Sequence, residues 1–176
     1  MPNTVPPDVV SAFVVASTVD TPYRAAGRGA PVVVLALSAA TQAALLAHTP
    51  RNLRVLVPAL TGAEPHLATA SSFAEWLINF VDALGIARFA LIADAALAAH
   101  VIGFTTQCPE RVHELALLKE EQAAENSFAS VPIERYASGR ELVMSWPPGL
   151  REPAAHVAEL LAQLFPVPEA TTPPPP

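Results

Sequence analysis

Short apolar runs alternate with amphipathic stretches along most of the chain. Four runs have the length and composition of buried strands: Val32–Leu37, Leu53–Pro58, Phe89–Ile92 and Val112–Leu118. Apolar residues recur at helical spacing in the intervening stretches, which are Thr41–His48, Ser71–Leu84 with Gly85 as its C-cap, and the residues after 97 up to about Thr106. Continuous apolar runs are typical of parallel strands covered on both sides. The pattern therefore predicts an α/β fold, a mostly parallel sheet with helices on both faces.

The ends of the chain are less regular. Ser11–Asp20 alternates weakly and predicts one further strand, while Thr21–Pro31 holds two glycines and predicts a turn. Glu141–Trp146 predicts the last strand, and Pro153–Phe165 a closing helix. The expected organisation is a proline-rich arm at 1–10, a single domain at 11–166 and a mobile, proline-rich tail at 167–176.

Composition excludes several classes of function. The net charge is −6 and no basic cluster is present, which argues against a nucleic-acid partner. The chain contains no run of 18 uncharged apolar residues, so we predict no membrane span. The N-terminus MPNTVPPDVV lacks a basic region and the chain has one cysteine, so we expect no signal peptide and a cytoplasmic location. Only 15% of residues are charged and 52% are hydrophobic, which favours a surface covered by a partner.

The stretch FALIADAALAAHVIGFTTQCPERV, residues 89–112, has the order strand, sharp turn, helix. It aligns without a gap with F-A-L-V-G-H-S-x-G-G…R-Y-P-E-R-V and so resembles the nucleophile elbow of the α/β-hydrolase family. In that alignment Ala93 and Leu97 stand at two glycines, and Ala95 stands at the nucleophilic serine. Alanine has no hydroxyl. The resemblance thus implies the family's fold with a vestigial elbow, formed by Ala93, Asp94, Ala95, Ala96 and Leu97.

Two more segments carry the resemblance. YRAAGRGAPVVVL, residues 23–35, is similar to the family's first parallel strand, and RVLVPALTG, residues 54–62, is similar to R-V-I-A-P-D-L-P-G. In the family, the first of these ends in His-Gly, whose loop supplies a backbone N–H to the oxyanion hole. The matching positions are Ala36 and Leu37, followed by Ser38. The resemblance implies a vestigial oxyanion loop here, in which Leu37 obstructs the close approach that glycine allows.

The other parts of a serine hydrolase are also missing. The family's histidine position falls near Leu150, and Lys119–Arg140 is too short for a lid and the strand that bears the catalytic acid. The resemblance therefore implies a minimal, lid-less α/β-hydrolase-like core, truncated and catalytically degenerate (a pseudo-hydrolase), without catalytic residues. The five histidines share no metal-ligand spacing and no glycine-rich phosphate loop is present, so we predict neither a metal site nor a cofactor.

Our leading functional hypothesis is a non-catalytic accessory or interaction subunit of a larger protein assembly. Another protein, or a homo-oligomer, would cover the lid-less face, where Leu37, Leu60 and Leu97 would otherwise be exposed. Two alternatives stay open. The chain could be a small enzyme (a hydrolase, lyase or isomerase) that uses relocated residues, for which the candidates are Asp94, Ser38 and His100. It could also bind a small molecule in the vestigial pocket. Cys108 is expected to be a buried residue at a helix end.

Overall fold

The structure is a computed structural model that describes residues 8–60, 68–120, 140–146 and 161. Seven strands and three α-helices lie within these residues. The strands are β1 (Val10–Ala16), β2 (Val19–Gly27), β3 (Ala30–Leu35), β4 (Leu53–Pro58), β5 (Phe89–Asp94), β6 (Val112–Glu120) and β7 (Arg140–Trp146). The helices are α1 (Ala39–Ala47), α2 (Ala70–Ala83) and α3 (Ala98–Gln107).

The strands form one sheet in the order β1-β2-β4-β3-β5-β6-β7. The pairs β1–β2 and β2–β4 are antiparallel, whereas β4–β3, β3–β5, β5–β6 and β6–β7 are parallel. The predicted mostly parallel sheet is therefore confirmed. Each predicted strand of the parallel part is present, Leu53–Pro58 with the predicted bounds and the others with ends shifted by one or two residues.

The N-terminal part differs from the prediction. Ser11–Asp20 is not one strand, and most of Thr21–Pro31 is not a turn: β1 and β2 form a hairpin whose two loop residues are Ser17 and Thr18. Both have a positive φ, 49° and 67°, as a type I′ turn requires. The residue types do not indicate this turn, because it lacks the Asn and Gly that usually mark it. Its geometry is held instead by tertiary contact, since the Ser17 hydroxyl accepts a hydrogen bond from the Asn79 side chain at 2.6 Å.

The two glycines of the predicted turn lie at the junction between β2 and β3. Gly27 has a φ of 79°, in the left-handed region that glycine adopts without strain. A side chain at Gly29 would collide with the carbonyl of Asn52. These glycines therefore allow the chain to leave β2 close to the start of β4.

Helices cover both faces of the sheet, as predicted. On one face, α2 and α3 bury a core with a large aromatic group, Phe73, Trp76, Phe80, Phe89 and Phe104. On the other face, α1 contributes Leu45 and Leu46 to a second core, which also contains Leu161. Helix α2 begins with a capping box between Thr69 and Ser72, and Gly85 follows its last turn with a φ of 68°.

Several predictions lie outside the described residues. These are the proline-rich arm before residue 8, the histidine position at Leu150, the lid region at 121–139 and the tail at 167–176. Of the predicted closing helix, only Leu161 is described, and it is helical and buried. Within the described part of the chain, no helix is long and apolar enough to span a bilayer.

Candidate functional site

The turns that follow β3 and β5 lie side by side. These strands are parallel neighbours, and Leu35 pairs with Ala93 at their carboxyl ends. Ala36–Ser38 and Ala93–Leu97 therefore leave the sheet at the same edge, where ligands bind in open α/β sheets. The structure thus brings together the two segments that sequence analysis singled out.

The turn after β5 has ordinary backbone geometry. Asp94 is extended, with φ −63° and ψ 142°, and Ala95–Leu97 form one turn of 3₁₀ helix that runs into α3. Among the described residues, those with a positive φ are all outside Ala93–Leu97. A nucleophile elbow holds its serine in a sharp, strained turn. The turn after β5 lacks this strain, and it presents a half-buried methyl group at Ala95.

The Asp94 carboxylate caps this turn. Its Oδ1 accepts a hydrogen bond from the Ala96 backbone N–H at 2.7 Å. The bond satisfies one of the N–H groups that are left without a partner at the start of a helix. Asp94 therefore has a local structural role that explains an acidic residue at the end of a buried strand.

The loop after β3 is fixed by side chains around it. Ala36 is exposed and has a φ of 58°, an uncommon conformation for alanine. The Leu37 carbonyl accepts a hydrogen bond from Gln42 Nε2 at 2.7 Å, and Gln42 Oε1 in turn accepts one from Arg24 Nη2 at 2.7 Å. Ser38 is the N-cap of α1, where its hydroxyl oxygen accepts a hydrogen bond from the Thr41 N–H at 3.2 Å.

The three residues proposed for a relocated active site each have their own surroundings. Ser38 caps α1, on one face of the sheet, and Asp94 caps the turn after β5. The His100 ring packs edge-on against Phe73 of α2, which lies on the opposite face, with the ring centroids 5.6 Å apart. The α1 cap at Ser38 and the ring contact of His100 thus lie on opposite faces of the sheet.

A cleft of about 460 Å³ lies beside the Ala36–Ser38 loop. Of its described lining residues, Arg24 is charged. The others are uncharged and mostly apolar: Ser11, Ala12, Pro22, Tyr23, Ala36, Leu37, Gln42, Val57, Pro58, Ala59 and Leu60. The Ala93–Leu97 turn does not line it. The residue types give no sequence signal for this cleft, because Arg24, Gln42 and Leu60 meet only when β2, α1 and β4 are assembled.

The apolar side chains expected on an open face are covered to differing extents. Leu37 is buried, 4% exposed, in the core on the α1 side, so the expectation that it lies on an uncovered surface is wrong. Leu60 and Leu97 are half-buried against the other core. The large hydrophobic residues that are exposed in the described chain lie elsewhere, in and just before the edge strand β1: Val9, Val10, Phe13 and Val15.

Two other groups bear on the chemistry of the described chain. Cys108 follows α3 and is half-buried, and burial raises the pKa of its thiol, which leaves less of the nucleophilic thiolate. Burial and the charge of Arg88 lower the pKa of His113. Within the part of the chain that the structure describes, no three His, Cys, Asp or Glu side chains form a group that could hold a metal ion.

Comparison with known proteins identifies the architecture. Solved structures that match include the naproxen esterase of Bacillus subtilis (TM-score 0.56, 22% identity) and a membrane phospholipase A described as a bacterial virulence factor (0.55, 18%). Potato epoxide hydrolase I also matches (0.54, 12%). The chain has an α/β-hydrolase-like fold. No family model and no curated protein sequence matches it.

The similarity is partial on both sides. The matches cover 64%, 68% and 68% of this chain, respectively, but only 44%, 43% and 42% of the three solved structures. The chain therefore spans less than half the length of these enzymes. At such identities the comparison shows the fold alone, and a fold of this kind hosts many functions.

Proposed function

We propose that this chain is a non-catalytic α/β-hydrolase-like protein that serves as an accessory or interaction subunit of a larger assembly. The observation that carries the proposal is the turn after β5, where Ala95 presents a methyl group from an unstrained backbone. Nucleophilic catalysis by this fold needs a hydroxyl, thiol or carboxylate at that point, together with a base to activate it.

The surroundings of Ala95 support the same proposal. The nearest carboxylate in the sequence, Asp94, accepts a hydrogen bond from the turn that it caps. The loop that would complete an oxyanion hole has the buried side chain of Leu37 where the related loop has glycine. Similar structures include working esterases and epoxide hydrolases. The proposal is that this chain has kept their framework and lost their catalytic set.

The connection between β6 and β7 supports the proposal of a shortened fold. These strands are parallel neighbours, and only residues 121–139 separate Glu120 from Arg140. A crossover between parallel neighbours takes a dozen or more residues by itself. Little chain then remains at this point for a separate lid domain over the site.

The enzymatic part of the proposal is tested by turnover of p-nitrophenyl butyrate and styrene oxide. We expect rates equal to those of buffer, for the protein and for Ala95→Ser, because the added hydroxyl has neither a strained turn nor an assigned base. Saturable turnover that is lost in Asp94→Asn would overturn the proposal. This variant is a matched one, since asparagine is as good an N-cap as aspartate and preserves the fold.

The accessory role is tested by the native mass of the protein recovered gently from its source cell. We expect a complex of fixed stoichiometry, heavier than 18.5 kDa, that contains other chains. A stable monomer of 18.5 kDa would contradict that role.

A second candidate function is favoured by the cleft beside Ala36. Among the described residues that line this cleft of about 460 Å³, Arg24 is the one that carries a charge, and the cleft fits a small acid with an apolar tail. Calorimetric titration with decanoate tests it. Saturable binding that is weakened by Arg24→Gln favours this function, and absence of heat at every concentration below micelle formation excludes it for this class of ligand.

A further inference from the structure

Strand β1 is the edge strand of the sheet that the described residues form. It pairs with β2 on one side, and the order of the strands leaves its other side without a strand partner within the described residues. Its sequence VSAFVVA contains no charged residue and no proline, and its pairing with β2 is regular from Val10 to Ala16. Protein edges usually carry a lysine, a proline or a bulge that prevents pairing with another chain. None of these devices is present in β1.

The exposed apolar side chains are concentrated on this edge. Phe13 is 69% exposed, Val15 58% and Val10 57%, and Val9 just before the strand is 49% exposed. Within the described chain, these four are the exposed large hydrophobic residues. An apolar patch next to a row of unpaired backbone groups marks an interaction surface.

We propose that β1 pairs in antiparallel fashion with β1 of a second copy of this chain, around a two-fold axis at Phe13. The two sheets then join into one that continues across the dimer. This inference does not rest on the non-catalytic function, because an active enzyme with the same edge would pair in the same way.

The sequence of β1 is self-complementary in this register. Phe13 lies opposite Phe13 of the second copy, Ser11 opposite Val15 and Ala12 opposite Val14, so no like charges meet. Cross-strand aromatic pairs stabilise antiparallel sheets. A two-fold interface uses the same patch on both copies, and the central position of Phe13 in an uncharged strand satisfies this condition.

The charges in β2 do not oppose pairing with a second copy. Arg24 pairs with Ser11 and Asp20 with Val15, so these side chains are on the same face as Phe13. In the dimer, opposite residues on neighbouring strands form rows across the sheet. One such row runs from Arg24 and Ser11 of the first copy to Val15 and Asp20 of the second copy. Each outer row therefore carries a cation at one end and an anion at the other, and the central row carries only Pro22 and Phe13 from each copy.

The exposed area matches a modest interface. A specific interface buries roughly 1,000 Å² or more in total, which is about 500 Å² from each copy. A phenylalanine alone offers roughly 150–250 Å² when it is buried. Phe13 is 69% exposed and so contributes roughly 100–170 Å² of that range, and we expect the interface on β1 to fall at or below the lower limit. We therefore expect a dimer that dissociates on dilution.

The first test is the mass of the purified full chain in solution, by sedimentation equilibrium over a concentration series. We expect a monomer–dimer equilibrium in which the dimer has twice the mass of the chain. Phe13→Lys should raise the dissociation constant at least about tenfold, since lysine on an edge opposes pairing. Ala43→Lys, which adds the same charge at an exposed position of α1, should leave the constant unchanged.

The second test determines the register, in a Cys108→Ser background. Cysteines introduced by Phe13→Cys face each other across the two-fold axis, with Cα atoms about 4.5–5.5 Å apart, and should form an intermolecular disulfide under mild oxidation. Thiols introduced by Val15→Cys lie four positions apart along the paired strands and should not form a disulfide. A mixture of Ser11→Cys and Val15→Cys should again cross-link.

Three results would overturn the proposal. A monomer at all concentrations does so directly, and slow hydrogen exchange of β1 amides in that monomer would show that another segment of the chain occupies the edge. If the dimer persists with Phe13→Lys, the two copies associate through another surface. Cross-linking through Val15→Cys alone, without Phe13→Cys, excludes the register.

Discussion

Replacing Thr18 by glycine is expected to stabilise the protein. Thr18 is the second loop residue of the β1–β2 hairpin and has a φ of 67°. A left-handed conformation costs a residue with a Cβ roughly 1–2 kcal/mol, and threonine is further restricted because it is β-branched. Glycine removes this cost but has more freedom to lose on folding, by roughly 0.5–1 kcal/mol. The net gain in the free energy of unfolding is about 0.5–1 kcal/mol.

The neighbouring residue gives a contrasting expectation. Ser17 has a φ of 49°, so Ser17→Gly relieves a similar strain. It also removes the hydroxyl that accepts a hydrogen bond from Asn79, which contributes about 0.5–1.5 kcal/mol. The two effects nearly cancel. We therefore expect a clear gain at Thr18 and little or no gain at Ser17.

Urea unfolding followed by circular dichroism measures both variants, with thermal unfolding as a second readout. For a chain of this size, 1 kcal/mol shifts Tm by about 2–4 °C, so Thr18→Gly should raise Tm by about 1–4 °C. The control is Thr106→Gly at an exposed position of α3, which should destabilise by a few tenths of a kcal/mol. If Thr18→Gly lowers stability as the control does, the hairpin does not have this turn.

Three more substitutions test other parts of the structure. Ala36→Gly should raise the free energy of unfolding by about 0.5–1 kcal/mol in urea, because Ala36 has a φ of 58°. Asp94→Ala should lower it by about 1 kcal/mol through loss of the cap, whereas Asp94→Asn should leave it nearly unchanged. Burial lowers the pKa of His113 in the folded chain, so the unfolded chain binds more protons between that pKa and about 6.5. This histidine should make stability rise with pH up to about 6.5, and His113→Gln should flatten that rise in urea titrations between pH 5 and 7.

Periodicity predicts the parallel part of the fold because burial alone determines it. Val32–Leu35 and Phe89–Ile92 are covered on both faces, and a short, continuous apolar run in an α/β chain is usually a strand of this kind. The hairpin cannot be predicted in this way. Ser17 and Thr18 are poor type I′ residues, and they adopt the turn through contact with α2, a residue 62 positions away in the case of Asn79.

The candidate site is predictable in position but not in geometry. Alignment of the residues places Ala95 just after a strand, and the structure adds that this turn lies beside the Ala36 loop. Whether the turn is strained depends on φ angles that residue types do not specify when glycine is absent. The exposed edge cannot be predicted for a related reason. The pattern indicates a strand at Phe13 and Val15, but the exposure of these side chains depends on the position of β1 at the edge of the sheet.

The order of the strands also has a consequence for biosynthesis. Strand β2 lies next to β4, which follows it by about 30 residues, so the hairpin of β1 and β2 leaves the ribosome before its neighbour in the sheet has emerged. At ~5–20 residues per second, the delay is ~2–6 s. During that interval neither edge of the apolar hairpin has a strand partner, and an isolated hairpin is only marginally stable. The nascent chain is therefore most exposed to chaperones, and to pairing between neighbouring ribosomes on one message, before residue 58 has emerged.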